Sequence, residues 1–244
     1  MSGENPLHHF ELHPLVELHL GGLDISINKA IIAMWIGLAL VYLFFMLVVS
    51  KGVKLVPGKL QSVGEVALEF IRGMTDEFIG EEGKKYFHFI AALFFFIFAC
   101  NFIGLVPGSY TITSQLVVTG AFSVLIFIMT LLIGFAKHGL HFLGILVPPG
   151  VPKIMIPFMV IVETISLLAR PISLSVRLFA NMTAGHTVLG VLFALTMSAP
   201  IWIGWLPFGF TVIINVLEMA IALIQAYIFA TLTCVYIGDV IKLH

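Results

Sequence analysis

Charge is what this sequence has least of: only 10% of its 244 residues are Asp, Glu, Lys or Arg, against about 25% in ordinary soluble domains. With 60% of residues hydrophobic and a mean hydropathy of +1.11, a water-soluble fold of this size cannot hide its apolar surface. The bilayer must be the solvent. Basic excess is missing too. The net charge is -1 and the pI is near 6.7, so nucleic acid is not an expected partner. Cysteine is scarce: Cys100 and Cys234 sit in apolar runs without metal-type spacing and read as packing residues rather than a disulfide or zinc site. Residues 1–28 contain no Lys or Arg, which excludes the basic start of a cleaved signal. Phosphate-loop, GxGxxG, GxSxG and HExxH motifs are all lacking. The expectation is a chain that binds no nucleotide, cofactor or metal and performs no covalent chemistry alone. No internal repeat is visible, whereas secondary transporters are commonly built from inverted repeats.

What is present is a series of apolar runs, each long enough to cross once, since about 20 helical residues span the hydrocarbon core. They predict helices at about 30–50, 87–106, 116–136, 154–198 and 208–238. Pro107-Gly108 closes the second, Lys137 the third, and Pro200 to Pro207 makes the turn before the last. Pro148, Pro149, Gly150 and Pro152 break the connection from His138 to Lys153. The fourth run is unusually long. A helix of about 45 residues measures ~67 Å, roughly twice the ~30 Å core, so it must fold back or lie steeply inclined. Pro171 is expected to kink it without ending it. Between residues 60 and 80, Leu60, Val63, Ala67, Phe70, Ile71, Met74 and Phe78 recur at helical spacing with Glu65, Glu69 and Asp76 between them. That pattern predicts an amphipathic surface helix. Lys51, Lys54, Lys59, Arg72, Lys84 and Lys85 crowd the same loop, which the positive-inside rule makes cytoplasmic. The N-terminus, with Glu4, Glu11, Glu17 and Asp24, is then outside and the C-terminus inside. His8, His9, His13 and His19 read as part of a solvated tail. The fold class expected is an all-α integral membrane protein: five membrane-crossing or steeply inclined helices, the last two long with a hairpin between them, plus one surface helix. In domain terms this is an external segment at 1–28 and one membrane domain at 29–244.

The informative residues are the charges inside these runs. Glu163, Arg170 and Arg177 fall seven apart, which returns a helix to within ~20° of the same face. Glu163 and Arg170 have an ordinary explanation as a helix-pinning salt bridge. Arg177 does not: no acidic residue lies within a turn, a central Arg costs about 2.5–3.5 kcal/mol even on insertion scales, and a guanidinium cannot shed its proton. Its counter-charge is expected on Glu218 or on another subunit. Ser173 and Asn181 flank Arg177 four residues to either side, and His186, nine residues on, falls on roughly the opposite face. Glu218 and Gln225 form a second polar stripe, seven apart on the last helix. His186 and Glu218 can both take up and release protons, and with Asn181 and Gln225 they are candidates to line a wet proton path.

The run Ile172-Ser173-Leu174-Ser175-Val176-Arg177-Leu178-Phe179-Ala180-Asn181-Met182-Thr183-Ala184-Gly185-His186 resembles the signature of subunit a of rotary F-type ATP synthases. Leu223-Ile224-Gln225-Ala226-Tyr227-Ile228-Phe229 resembles that family's last helix. Glu163, Arg170-Pro171, and Asn101 before Gly104-Leu105-Val106-Pro107 also fit. The resemblance implies that Arg177 is the stator arginine facing a ring of c subunits and separating two offset half-channels. Glu218, His186, Asn181, Gln225, Glu163 and Ser173 would serve the proton path, Glu218 and His186 chiefly on the outer side. The implied partners are the c-ring, the peripheral-stalk b subunits, the rest of the F1Fo complex and membrane lipid. Two departures from the family pattern are visible. Ala180 stands where Gly is frequent, and His186 and Glu218 carry side chains exchanged relative to many bacterial members, as in alphaproteobacterial and mitochondrial forms. The acidic N-terminus favours a bacterial inner membrane over the mitochondrial one. Two competing readings are an autonomous proton-coupled transporter, with Arg177 binding an anionic substrate, and a purely structural assembly subunit.

Overall fold

The computed structural model describes residues 14–16, 19–20, 23–24, 27–50, 52, 54, 56–105, 112–147, 152–198, 200 and 202–242. Lys51, Pro107-Gly108, Pro148-Pro149-Gly150 and the histidines His8, His9 and His13 lie outside the described residues. Six α-helices account for most of the described chain: α1 (Lys29–Val49), α2 (Lys59–Phe78), α3 (Gly83–Gly104), α4 (Leu116–His138), α5 (Ile156–Ser198) and α6 (Trp205–Ile241). All but α2 are long and apolar enough to cross a membrane. At 21–23 residues, α1, α3 and α4 are about 31–35 Å long, a match to the hydrocarbon core. With 43 and 37 residues, α5 and α6 reach about 65 and 56 Å, far more than one perpendicular crossing needs.

Three local features differ from the expectation. The described residues before the first helix include short strands. Short strands β1 (Pro14–Val16) and β4 (Ile27–Asn28) pair antiparallel, as do β2 (His19–Leu20) and β3 (Leu23–Asp24). The last helix also starts earlier, at Trp205, so Pro207 lies in its first turn, where the missing amide hydrogen costs no helical bond. Lastly, the apolar residues of α2 divide between two directions. Ile71 and Met74 are buried together with Gln61, Gly64 and Thr75, while Leu60, Val63 and Phe70 stay exposed. Gln61 tolerates burial because its amide is satisfied: Nε2 donates to the Lys54 carbonyl (3.1 Å) and to Glu65 Oε1 (2.7 Å), and Oε1 accepts from the Lys54 amide (3.3 Å).

Contacts divide the chain into two compact units. The first comprises Met1–Val53, Phe95–Leu116 and Leu178–Ala226. In it the small residues Ala30, Ala33 and Gly37 make the buried stripe of α1. A side chain at Gly37 would press on Cys100 Sγ at 3.3 Å, so small residues here let α1 and α3 approach closely. Phe45 and Phe95 add an edge-to-face contact at 4.9 Å.

The second unit comprises Lys54–Phe94, Val117–Arg177 and Tyr227–His244. Its core runs along the end of α6, where Phe229, Ala230, Thr233, Cys234 and Ile237 are buried at helical spacing. The end of α2 docks on this stripe. Thr231 Oγ1 contacts Met74 sulfur at 3.1 Å, and Lys242 Nζ donates to the Phe78 carbonyl, one of the orphan acceptors that end a helix. Gly238 makes the approach possible, since a Cβ there would lie 2.6 Å from the Phe78 oxygen. Lys137, in the last turn of α4, donates to Glu82 Oε1 at 2.6 Å. That hydrogen bond holds the Glu82 carboxyl below the ordinary carboxylate range.

Two outcomes follow from this packing. Gly238→Ala will lower the detergent-solubilised melting temperature, with a destabilisation of about 1–3 kcal/mol. Gly209→Ala, where no neighbour lies within 4 Å of the added carbon, will leave it unchanged or raise it. Because the Glu82 carboxyl is depressed in the folded chain, its pairing is fully present above the unfolded carboxylate range and is lost as pH falls through the lower folded value. An NMR titration will show the Glu82 carboxyl moving up in Lys137→Met.

Candidate functional site

In the first unit, α5 and α6 run antiparallel beside the end of α3, and the polar residues of the three meet. Glu218, Ala222 and Gln225 occupy positions i, i+4 and i+7 of α6, one face of the helix, and are 7%, 0% and 1% exposed. Each is met by a residue from another helix. Asn181 Nδ2, on α5, donates to Gln225 Oε1 at 2.9 Å. Asn101 Nδ2, on α3, donates to the Ala222 carbonyl at 3.3 Å. Gly185, one turn beyond Asn181, lies against the Glu218 carboxyl so closely that a Cβ would overlap Oε1. A side chain there would require the Glu218 carboxyl, the free end of a flexible side chain, to swing aside.

The Glu218 carboxyl opens on a cleft of about 230 Å³ lined by Asn181, Gly185, Leu105, Val188, Leu217 and others. A water needs only about 10–15 Å³ of such space and two to four polar partners, so the cleft has room for a file of waters. Among the described residues neither Glu218 carboxyl oxygen has a hydrogen-bond partner, nor do Gln225 Nε2, Asn101 Oδ1 and Thr183 Oγ1. Buried groups of this kind are tolerable when water or a proton accompanies them. Chemically the arrangement can handle a proton, since it combines an ionisable carboxyl, amide groups beside it and room for water. His186, next to Gly185, is half-buried.

The second unit holds the remaining candidates. Arg177 is exposed, and among the described residues no hydrogen bond or ion pair engages its guanidinium. Ser173 is exposed and Glu163 half-buried. Arg170 does not pair with Glu163. Its Nη1 lies 3.1 Å from Asp239 Oδ2 on α6, and its guanidinium stacks 5.1 Å from the centre of the Tyr236 ring. Seven residues along a helix is about 10.5 Å, too far for a direct pair between Glu163 and Arg170, so the cross-helix partner prevails.

The structure thus brings Asn181 and Glu218 to one cleft, with Gln225 buried beside it and bonded to Asn181. Asn101 and Gly185 belong with them, although sequence spacing gave neither a role. For Asn101 the available signal was an uncharged amide deep in a 22-residue apolar helix. For Gly185 there was none beyond its place next to His186.

Comparison with known proteins bears on the family of the chain. Residues 31–238 match the family model described as "ATP synthase A chain". A protein of Magnetococcus marinus carrying the name "ATP synthase subunit a" is 44% identical over 243 residues, covering 98% of this chain and 94% of its own. Proteins of the same name from Pelagibacter ubique and Rhodospirillum rubrum are 43% and 41% identical, each over 98% of this chain and over 98% and 99% of their own lengths. The matched region includes Glu163, Arg170, Arg177, Asn181, His186, Glu218 and Gln225, and the chain belongs to the ATP synthase subunit a family.

Proposed function

We propose that this chain is the proton-conducting stator subunit of an F-type ATP synthase, with Arg177 as the arginine that faces the carboxylates of a rotating c-ring. The observation that carries this assignment is an exposed Arg177 on a helix apolar enough to cross a membrane. Left facing lipid, such a residue costs about 2.5–3.5 kcal/mol, and its charge is permanent. A carboxylate delivered by a partner removes that cost. A guanidinium that cannot deprotonate is also suited to displace a proton from the carboxylate it meets while never carrying one itself. It therefore blocks a direct proton leak while admitting the ring carboxylate.

Glu218, Asn181 and Gln225 form the wet approach on one side, with His186 close by in the chain. The cleft, lined by the ionisable Glu218 carboxyl and by Asn181, whose amide bonds to Gln225, supports the role of the half-channel open to the outside. Glu163 and Ser173, on the α5 segment that leads to Arg177, serve the proton path as well. The chain is a multi-pass membrane protein, and neither nucleotide nor metal enters its part of the reaction. Its proposed setting is a bacterial inner membrane, with the acidic N-terminus outside and the lysine-rich loop around α2 in the cytoplasm. There the b subunits of the peripheral stalk would hold it against rotation. The length of α5 and α6 fits this role, because helices much longer than the membrane is thick can lie inclined along a ring. Family membership leaves the autonomous transporter reading without support.

Arg177→Ala will abolish proton-driven ATP synthesis and ATP-driven proton pumping in membrane vesicles, while hydrolysis by the soluble sector continues. Normal pumping by that variant would overturn the assignment. Glu218→Gln and His186→Ala will each slow proton flux less completely. Vesicle acidification rates check both, and unchanged flux in the pair would return these residues to packing roles.

A further inference from the structure

Two arginines stand seven residues apart on α5, and among the described residues only one of them is paired. Seven residues bring a helix back to within ~20° of the same face, so Arg170 and Arg177 point in nearly the same direction from the helix axis. Arg170 is turned toward α6: Nη1 meets Asp239 Oδ2 at 3.1 Å, and the guanidinium stacks on Tyr236. Arg177 is exposed and has no ion pair among the described residues. The end of α6 that supplies Asp239 and Tyr236 is itself held, by Lys242 on the Phe78 carbonyl and by Gly238 against the same carbonyl. All of these residues lie in the second unit.

We propose that Asp239 masks Arg170, so that α5 offers a single available guanidinium, Arg177, to a passing carboxylate. The inference rests on the role proposed above for Arg177. Guanidinium–carboxylate pairs are strong and frequently bidentate, and they strengthen further where water is scarce. An unmasked Arg170 about 10.5 Å along the helix from Arg177 would be a second permanent cation on almost the same face. It would hold the arriving carboxylate in its charged form before or after the correct position, and rotation would stall between two traps. An internal counter-ion removes that competition without removing the side chain. The stack on Tyr236 keeps the guanidinium turned toward α6 through cation–π attraction. Asp239 is thus a specificity-determining residue for the coupling reaction, although it need not touch the moving carboxylate.

The test uses the whole complex in inverted membrane vesicles, normalised to the amount assembled. Asp239→Asn will lower coupled ATP synthesis and ATP-driven proton pumping about fivefold, the modest end of the range because the pair is partly exposed to solvent. Arg170→Gln alone will have little effect, since an unpaired Asp239 at this partly exposed position is readily hydrated. The double variant Arg170→Gln/Asp239→Asn will recover most of the lost coupling, because the competing cation is gone. A merely structural pair would behave differently, with Arg170→Gln as impaired as Asp239→Asn because either change leaves one charge without its partner. That result, or wild-type coupling in Asp239→Asn, would overturn the proposal. Arg177→Ala, measured alongside, separates the two ideas. If it pumps normally, the stator assignment fails whatever the Arg170 series shows. If it is inactive while the double variant is no better than Asp239→Asn, only the masking proposal fails.

Discussion

A bilayer offers no hydrogen bonds and no counter-ions, so every polar group carried into it must be answered within the chain, by water or by a partner. The described part of this protein largely obeys that constraint. Hydroxyls of Ser123, Thr130 and Thr233 return to the carbonyls of Thr119, Ile126 and Phe229 on their own helices, the local solution open to small polar side chains. Asn181 answers Gln225, and Asp239 answers Arg170. The exceptions then become conspicuous. Arg177 lacks an ion pair, and Glu218 lacks a hydrogen bond, among the described residues. Asn101 Oδ1, Thr183 Oγ1 and Gln225 Nε2 also lack a hydrogen-bond partner among the described residues, but a permanent charge or an ionisable carboxyl is costlier to leave unanswered than an amide or a hydroxyl.

Close packing makes the local answers possible. Ala222, Ala226 and Ala230 succeed one another at four-residue spacing on α6, each fully buried. They let neighbouring helices come near enough for short amides such as Asn101 to reach across to a backbone carbonyl. Lipid competes with apolar side chains on equal terms, so helix contacts here depend on shape and hydrogen bonds rather than on hydrophobic driving force. A larger residue on such a stripe would cost both packing and the polar contacts that depend on it.

Much of this was legible from the residues in order. The apolar runs gave α1 and α4 nearly to the residue, because a span must be continuous and its ends are charged or broken. The unbroken course of α5 through Pro171 followed from the absence of any strong stop. What sequence could not supply was partnership across helices. Sequence spacing paired Arg170 with Glu163, and only tertiary geometry chose Asp239. The two-sided burial of α2 was also hidden, since a periodic pattern identifies apolar flanks without saying which one meets protein. Gln61 illustrates why: it is buried because a loop backbone happens to complement its amide. The short strand pairings before α1 carried no strong alternation to announce them. The key positions Arg177, Glu218 and Gln225 stood out for the simplest reason, that they are expensive where they are.

The fit of Gly185 against the Glu218 carboxyl has a consequence for how such chains can be recombined. The two positions touch across helices, so a bulkier residue on α5 would push the Glu218 carboxyl out of its present place. A chimaera that joins α6 of this protein to a different α5 would keep that place only where the facing residue is equally small. Swapping the ionisable side chains between the two helices is therefore a question of volume as well as of proton affinity.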